Sequence, residues 1–217
     1  MKLSPDSLLP FLCQSTGKCC IHNIVILSPF DIFRIAKALN LSAKNLFKSK
    51  ILTYRINSSS FWMEPILNSK KNNTCPFLET SSKKYICEIY EERPLVCRIF
   101  PLKYDPEEES FMRLFVSEER CRECIDVEKL IKTEDYLEQG NIPALLEEFN
   151  SYSNLLDEIL VQGFTLEGIK NKKDKQTIFF QIQSLLYETY PMNPENEEAY
   201  PIQKIQFEIE SLLDTVN

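Results

Sequence analysis

The sequence predicts an α+β, mostly helical protein: a small, irregular, cysteine-rich N-terminal half with short strands, followed by a helical C-terminal part. All eight cysteines lie in the first 124 residues, and the remainder of the chain has none. Four glycines in 217 residues are few for an all-β protein, whereas long stretches rich in Leu, Ile, Glu and Lys favour helices. We therefore expect a cysteine-rich domain over residues 10–125 and an acidic helical region over residues 126–217.

Charge divides the chain at the same place. Residues 1–124 contain 18 basic and 14 acidic residues, whereas residues 125–217 contain 7 and 18. The acidic half would repel phosphates, so we expect no nucleic-acid partner. No segment approaches the roughly 18 consecutive apolar residues of a membrane span, and Pro5, Asp6 and Pro10 interrupt any apolar core of a secretory signal. These features predict a cytoplasmic protein that has no membrane partner.

The first predicted elements follow the β-branched run Ile24–Leu27. The segment Ser28-Pro-Phe-Asp31 combines an N-cap residue, a proline suited to the first helical position and an acid in the first turn. Apolar residues then recur at helical spacing as far as Leu39. Ser42 marks the start of a second short helix, and a strand is predicted at Phe61–Met63.

The middle of the chain predicts short elements only. The apolar segments Cys75–Leu78 and Tyr85–Tyr90, joined by a polar turn, are typical of a hairpin. Pro94 begins a short helix that Pro101 stops. A further strand is predicted at Phe111–Val116.

The last third predicts helices, because apolar residues recur there at spacings of three and four. Gly163 ends the first of these helices. The predicted helices cover approximately residues 145–159, a segment from Thr165 or Lys175 to Tyr187, and Ile202–Val216. Apolar stripes of this kind are ordinary packing faces.

The cysteines are the predicted metal ligands. Cys121 and Cys124 have the CxxC spacing that lets two sulfurs from one turn meet the same ion. Cys19 and Cys20 are adjacent, so they serve different metals, or one binds while the other packs. Eight thiolates suffice for two four-sulfur sites that hold zinc or iron, including a [4Fe–4S] cluster. The predicted ligands are Cys13, Cys19, Cys20, Cys75, Cys87, Cys97, Cys121 and Cys124.

Disulfides are the alternative use of these sulfurs. An even number of cysteines permits complete pairing. In a reducing cytoplasm, however, dense cysteine usage favours metal or redox chemistry.

Arginine placement supports the metal hypothesis. Five of the seven arginines lie between residues 93 and 122. Four thiolates around Zn²⁺ leave a formal charge of −2, which is costly to bury without compensation, and guanidinium groups can donate hydrogen bonds to sulfur. We predict that Arg93 and Arg98 line the site or bind a cofactor carboxylate; the alternative is pairing with neighbouring glutamates. His22, the single histidine, is expected to lie outside the ligand set.

Several motifs resemble the YkgJ-type cysteine-cluster family over about residues 10–125. They are Cys13-Gln-Ser-Thr-Gly-Lys-Cys-Cys20, Ile26-Leu-Ser-Pro-Phe-Asp-Ile32, Cys75-Pro-Phe-Leu78 and Cys87-Glu-Ile-Tyr-Glu-Glu-Arg-Pro-Leu-Val-Cys-Arg-Ile-Phe-Pro101. The family, largely bacterial, is described as a zinc- or iron-chelating domain of CxxCxxCC type. Thr16 stands where the family usually has another cysteine, so one site is incomplete or is completed by Cys121 or Cys124.

The resemblance implies metal chelation and no established general reaction. A related module is similar to part of flagellin lysine-N-methylase, which implies an alternative: an iron–sulfur, S-adenosylmethionine-dependent methyltransferase-like enzyme with a protein substrate. A redox or metal-delivery protein is the second alternative. Because the cysteine-rich half is irregular and has few long apolar elements, we predict that the first role of the metal is to stabilise its fold.

Overall fold

The protein has an α+β fold with two compact units that alternate along the chain. Unit 1 comprises Met1–Val25 and Ser69–Glu147, and unit 2 comprises Ile26–Asn68 and Glu148–Asn217. The computed structural model describes residues 2–14, 16–81, 84–106, 108–114, 124–125, 128, 130–170, 172–189 and 199–215.

The elements within these ranges are mostly short. The strands are β1 (Lys2–Leu3), β2 (Leu8–Leu9), β3 (Leu52–Ile56), β4 (Met63–Leu67), β5 (Leu78–Ser81), β6 (Lys84–Cys87), β7 (Leu102–Asp105), β8 (Ser110–Arg113) and β9 (Ile131–Lys132). The α-helices are α1 (Pro29–Leu39), α2 (Ala43–Lys48), α3 (Leu95–Ile99), α4 (Thr133–Gln139), α5 (Ile142–Val161), α6 (Lys173–Ser184) and α7 (Ile202–Asp214). Among the described helices, none is both long and apolar enough to cross a membrane.

Unit 1 is built from small antiparallel sheets. Strand β8 lies between β1 and β7, and β2 pairs with β9. Strands β5 and β6 form a hairpin in which Leu78 lies opposite Cys87. Because these sheets have two or three strands each, they bury little apolar surface by themselves.

Unit 2 contains α1, α2, α6, α7, the larger part of α5 and the β3–β4 hairpin. Ser28 caps α1 as predicted: its hydroxyl accepts from the Asp31 backbone N–H, and the Asp31 carboxylate accepts from the Ser28 backbone N–H. Ser42 caps α2 by accepting from the backbone N–H of Asn45. Polar side chains at these two helix starts satisfy N–H groups that have no partner within the helix.

The core of unit 2 is centred on Trp62, which has no exposed surface. Its indole N–H donates to the Tyr187 hydroxyl at 2.9 Å, and its ring meets Phe179 edge-on at 5.2 Å. The hydroxyls of Tyr152 and Tyr187 lie 2.5 Å apart. Tyr187 belongs to a π-helical turn, Leu185–Thr189, that continues α6.

The hairpin over Cys75–Tyr90 is confirmed, although its strands begin and end at different residues from those predicted. The short helix between Pro94 and Pro101 and the helices near residues 145–159 and 202–216 are confirmed as well. The strand predicted at Phe61–Met63 is wrong for its first two residues, because β4 begins only at Met63. The sequence also failed to predict α4.

Candidate metal centre

All seven described cysteines lie in unit 1, and none of them forms a disulfide. Cys121 lies outside the described residues, as do Arg120 and Arg122. Of the two cysteines in the predicted CxxC turn, the structure therefore describes only Cys124.

Cys19 and Cys20 lie in a 3₁₀ turn, Lys18–Cys20, that begins after Gly17. Gly17 has φ 67°, a left-handed conformation in which glycine is favoured. A Cβ at this position would lie 2.7 Å from the side chain of Tyr85 on β6. Glycine thus lets the thiol-bearing turn pack directly against the hairpin.

The backbone brings Cys75 and Cys87 to this turn. The Cys75 N–H donates to the Cys20 carbonyl at 2.8 Å. The Leu78 N–H donates to the Cys75 carbonyl at 3.2 Å, and Leu78 lies opposite Cys87 in the hairpin. Three cysteines far apart in the sequence therefore occupy neighbouring backbone positions.

Cys97 lies on α3, and its charge acts on Cys20. The pKa of Cys20 is raised, first because its thiol donates to the Cys19 sulfur and then by burial and by the charges of Cys19, Cys75 and Cys97. The hydrogen bond from Cys20 conversely lowers the pKa of Cys19 to about 7.

Burial is the main cause of the pKa shifts of Cys75 and Cys87. It raises the pKa of Cys75 to about 11, with nearby Cys87 and Cys19 adding to the effect. It also raises the pKa of Cys87, which the Arg93 charge lowers in part. We call Cys19, Cys20, Cys75, Cys87 and Cys97 the thiol cluster.

Cys13 and Cys124 form a separate pair of neighbours. The Leu12 N–H donates to the Cys124 carbonyl at 2.8 Å, and the Gln14 N–H lies 3.4 Å from the Cys124 sulfur. Cys124 is fully buried, whereas Cys13 is exposed. These two cysteines lie on paired backbone segments at the edge of the family motif.

Arg93 is a cation that acts on the thiol cluster. Its guanidinium lies 3.7 Å from the centre of the Tyr90 ring, and its Nε donates to the Tyr90 carbonyl at 2.8 Å. Its charge adds to the lowering of the Cys19 pKa and opposes the rise that burial causes in the Cys87 pKa. Arg98 is placed differently, since its Nε donates to the Arg93 carbonyl at 2.9 Å and so fixes the backbone that leads into α3.

His22 and Thr16, which the sequence singled out, lie near the turn. His22 is exposed, has φ 57° and donates its backbone N–H to the Asn73 carbonyl. Thr16 is half-buried. Sequence reasoning missed Gly17 and Tyr136, whose contacts with the cysteine-bearing elements become visible only in three dimensions.

The donor set fits zinc or iron in its chemistry. The Cys19 and Cys20 sulfurs lie 3.9 Å apart, close to the separation of about 3.8 Å for two sulfurs on one tetrahedral Zn²⁺ with bonds of about 2.3 Å. Within the described ranges, no three Cys, His, Asp or Glu side chains already form a ligand group for a metal ion. The fit therefore rests on soft donors gathered around a common region.

Comparison with known proteins agrees with this description. The family model CxxCxxCC, "Putative zinc- or iron-chelating domain", matches residues 12–124. Since this match covers more than half of the 217 residues, the chain belongs to that family. The comparisons with curated proteins and with solved structures each found no match.

Proposed function

We propose that unit 1 binds zinc or iron through cysteine thiolates and that the metal stabilises its fold. The observation that supports this proposal is that the Cys19–Cys20 turn, Cys75 and Cys87 occupy neighbouring backbone positions. Cys97 on α3 acts on Cys20 through its charge. Membership of a family of chelating domains supports metal binding in general. Soft thiolates suit zinc, iron and iron–sulfur centres.

The thiol cluster offers one more sulfur than a four-coordinate site needs. Adjacency alone predicts that Cys19 and Cys20 serve different metals or that only one of them binds. Because their sulfurs lie 3.9 Å apart, we propose instead that both hold one side of the same ion, with Cys75, Cys87 and Cys97 as candidates for the other side. Cys13 and Cys124, together with Cys121, form the proposed second group of ligands. Bound metal would supply a divalent charge that favours thiolate over thiol at these positions.

Arg93 would offset the negative charge of the thiolates. Four thiolates around a divalent ion leave a formal charge of −2, and a guanidinium nearby reduces the cost of burying it. The charge of Arg93 already acts on Cys19 and Cys87. Arg98 would contribute indirectly, by holding the Arg93 carbonyl.

The metal would be structural because unit 1 has few other sources of stability. Its described strands have two to four residues, and α3 has five. Where ligands from separate elements share an ion, the free energy of binding becomes free energy of folding. We propose a reducing, cytoplasmic location, in which the thiols stay available to the metal.

The test is anaerobic purification followed by elemental analysis and an absorption spectrum of the same sample. About one or two zinc ions per chain in colourless protein would support four-thiolate structural sites. Iron with sulfide and a broad visible band would identify an iron–sulfur protein. Full-length, folded protein that takes up neither metal, even after anaerobic reconstitution, would contradict the proposal.

A pair of variants on α3 separates ligation from damage to the helix. Cys97→Ser should lower metal content, because a hydroxyl is a much weaker ligand than a thiolate for these ions. Val96→Ser changes an exposed neighbour on the same helix and should leave metal content unchanged. The methyltransferase-like and the redox or delivery hypotheses stay predictions, to be assayed if iron and sulfide are found.

A further inference from the structure

Helix α4 lies beyond the family match and yet belongs to unit 1. Its start is fixed to the N-terminal segment: β9 pairs with β2, and both the N–H and the hydroxyl of Thr133 donate to the Ser7 carbonyl, at 2.8 and 2.9 Å. The Glu134 N–H donates to the Pro5 carbonyl at 3.0 Å. The helix therefore has a defined position from which its side chains can hold other elements.

Tyr136 projects from α4 to the end of the Cys97 helix. Its hydroxyl donates to the Phe100 carbonyl, immediately after α3, and lies 3.4 Å from the Arg98 carbonyl. Burial raises the pKa of Tyr136, so the hydroxyl keeps its proton and remains a donor. An Arg98 N–H also lies 3.5 Å from the Gly140 carbonyl, just past the end of α4.

The ring of Tyr136 contacts Phe11, which lies two residues before Cys13. It packs edge-on against Phe11 at 6.0 Å, and Phe11 packs edge-on against Phe100 at 6.2 Å. Phe11 pairs with Ile125 through the backbone, so it lies beside Cys124 in the paired segments. One side chain thus contacts both the end of the Cys97 helix and Phe11, which lies in the segment that carries Cys13.

We propose that Tyr136 is a positioning residue of the metal centre. It slows metal release by holding the Cys97 helix against the two paired segments that carry Cys13 and Cys124. This inference rests on the proposed function. Tyr136 reaches no metal itself; it acts through the Phe100 carbonyl and the Phe11 ring. Residues beyond the family match would therefore determine how firmly this chain retains its metal.

The test compares Tyr136→Phe with the wild type, both as full-length chains loaded with Zn²⁺ or with Co²⁺. Tyr136→Phe keeps the ring and removes the hydroxyl bond, and we expect metal transfer to a chelator to become about 10-fold faster, as for other groups that orient metal ligands. The thiolate-to-cobalt absorption should also change, since the ligands would move. Tyr152→Phe is the matched control: it removes a buried tyrosine hydroxyl bond in unit 2 and should leave release unchanged.

Phe11→Leu tests the same assignment from the other side of the ring and should also accelerate release. If both variants, Tyr136→Phe and Phe11→Leu, release metal at the wild-type rate, the inference is overturned and the proposed function is left intact. Wild-type protein that holds no metal would overturn both. Equal acceleration by Tyr152→Phe would show a general loss of stability and would also overturn the positioning role.

Discussion

Gly17 combines two constraints that no other residue type satisfies together. Its φ of 67° favours glycine, and the adjacent Tyr85 side chain occupies the space that a Cβ would need. Because Cys19 and Cys20 follow directly, the conformation of Gly17 determines where the two sulfurs lie. A methyl group added at residue 17 would therefore displace Tyr85 or the turn that carries Cys19 and Cys20.

We expect Gly17→Ala to destabilise unit 1 by about 1–3 kcal/mol and to lower its metal content. The added Cβ would force Tyr85 or the turn to move. Hydrogen exchange of residues 16–25 and elemental analysis of the same preparation measure the two effects.

Gly163→Ala is the control for conformational strain alone. Gly163 also has a positive φ, 77°, but a Cβ there would meet nothing within 4 Å. We expect a cost of about 1 kcal/mol in unit 2 and normal metal content. A Gly17→Ala protein with wild-type stability and metal content would contradict the role assigned to the close contact.

The buried tyrosines predict a loss of stability at alkaline pH. Burial raises the pKa values of Tyr152 and Tyr187 above their ordinary value, whereas in the unfolded chain each ionises near pH 10. Stability that depends on their neutral forms is therefore complete below about pH 10 and is lost as pH rises further, by up to about 1.4 kcal/mol per group and pH unit.

Tyr152→Phe should make this pH dependence shallower by the contribution of one group. At neutral pH the variant should lose about 1 kcal/mol, because its hydrogen bond to Tyr187 is gone. Urea unfolding followed by circular dichroism at pH 8, 10 and 11 measures both effects. Identical slopes for variant and wild type would show that Tyr152 does not ionise on unfolding.

At the scale of single residues, sequence carries the chemical type of a side chain but not its neighbours in space. Thiols crowded into one half indicate a chelating region by their type alone, and the prediction for Arg93 rests on its charge beside them. Gly17 and Tyr136 carry no chemical signature, since their importance comes from contacts with Tyr85, Phe11 and Phe100. Contacts over such sequence separations depend on the complete fold.

At the scale of elements, the start of α1 is held by a reciprocal pair. The Ser28 hydroxyl both accepts from the Asp31 N–H and donates to the Asp31 carboxylate at 2.8 Å. Asp31 also pairs with Arg34, which bonds to Glu148 as well. The helix start and α5 are thereby linked within unit 2.

We expect Ser28→Ala to cost about 1–2 kcal/mol, because it removes the cap and leaves buried groups without a partner. Ser42→Ala removes a single, longer hydrogen bond of 3.3 Å and should cost at most about 1 kcal/mol. Trp62 is the only tryptophan and lies in unit 2, so its fluorescence during urea unfolding compares the two variants. A larger effect for Ser42→Ala would contradict this ranking.

Long helices were predictable because each carries its own repeating apolar face. The short strands were not, since two to five residues gain their structure from a distant partner: β1 pairs with β8, and β2 with β9. Helix α4 did carry signals that were overlooked. Two acids lie in its first turn and Gly140 follows its end.

At the scale of the whole molecule, the alternation of the units alters what metal removal should do. The sequence by itself predicts that strong chelation unfolds residues 13–124 and leaves the later helices largely intact. Residues 26–68, however, belong to unit 2 together with the C-terminal helices. We expect chelation to expose the backbone of residues 16–25 and 69–106 while residues 29–67 stay protected.

Hydrogen exchange with mass spectrometry, before and after complete metal removal, measures this pattern. Peptides from residues 148–161 and from α6 provide the internal reference for unit 2. Uniform loss of protection over residues 16–106 would contradict independent opening of the units, and unchanged protection everywhere would contradict a structural metal.

The alternation also governs where the polypeptide can be divided. A fragment cut at residue 124 would contain every predicted ligand, yet it would deprive Trp62 of Tyr187 and Phe179 and would discard Tyr136. Apolar surface that the complete chain buries would then face water, and we expect such a fragment to be recovered mainly as aggregates. We therefore expect that residues 12–124, which the family model matches, do not fold as an isolated fragment.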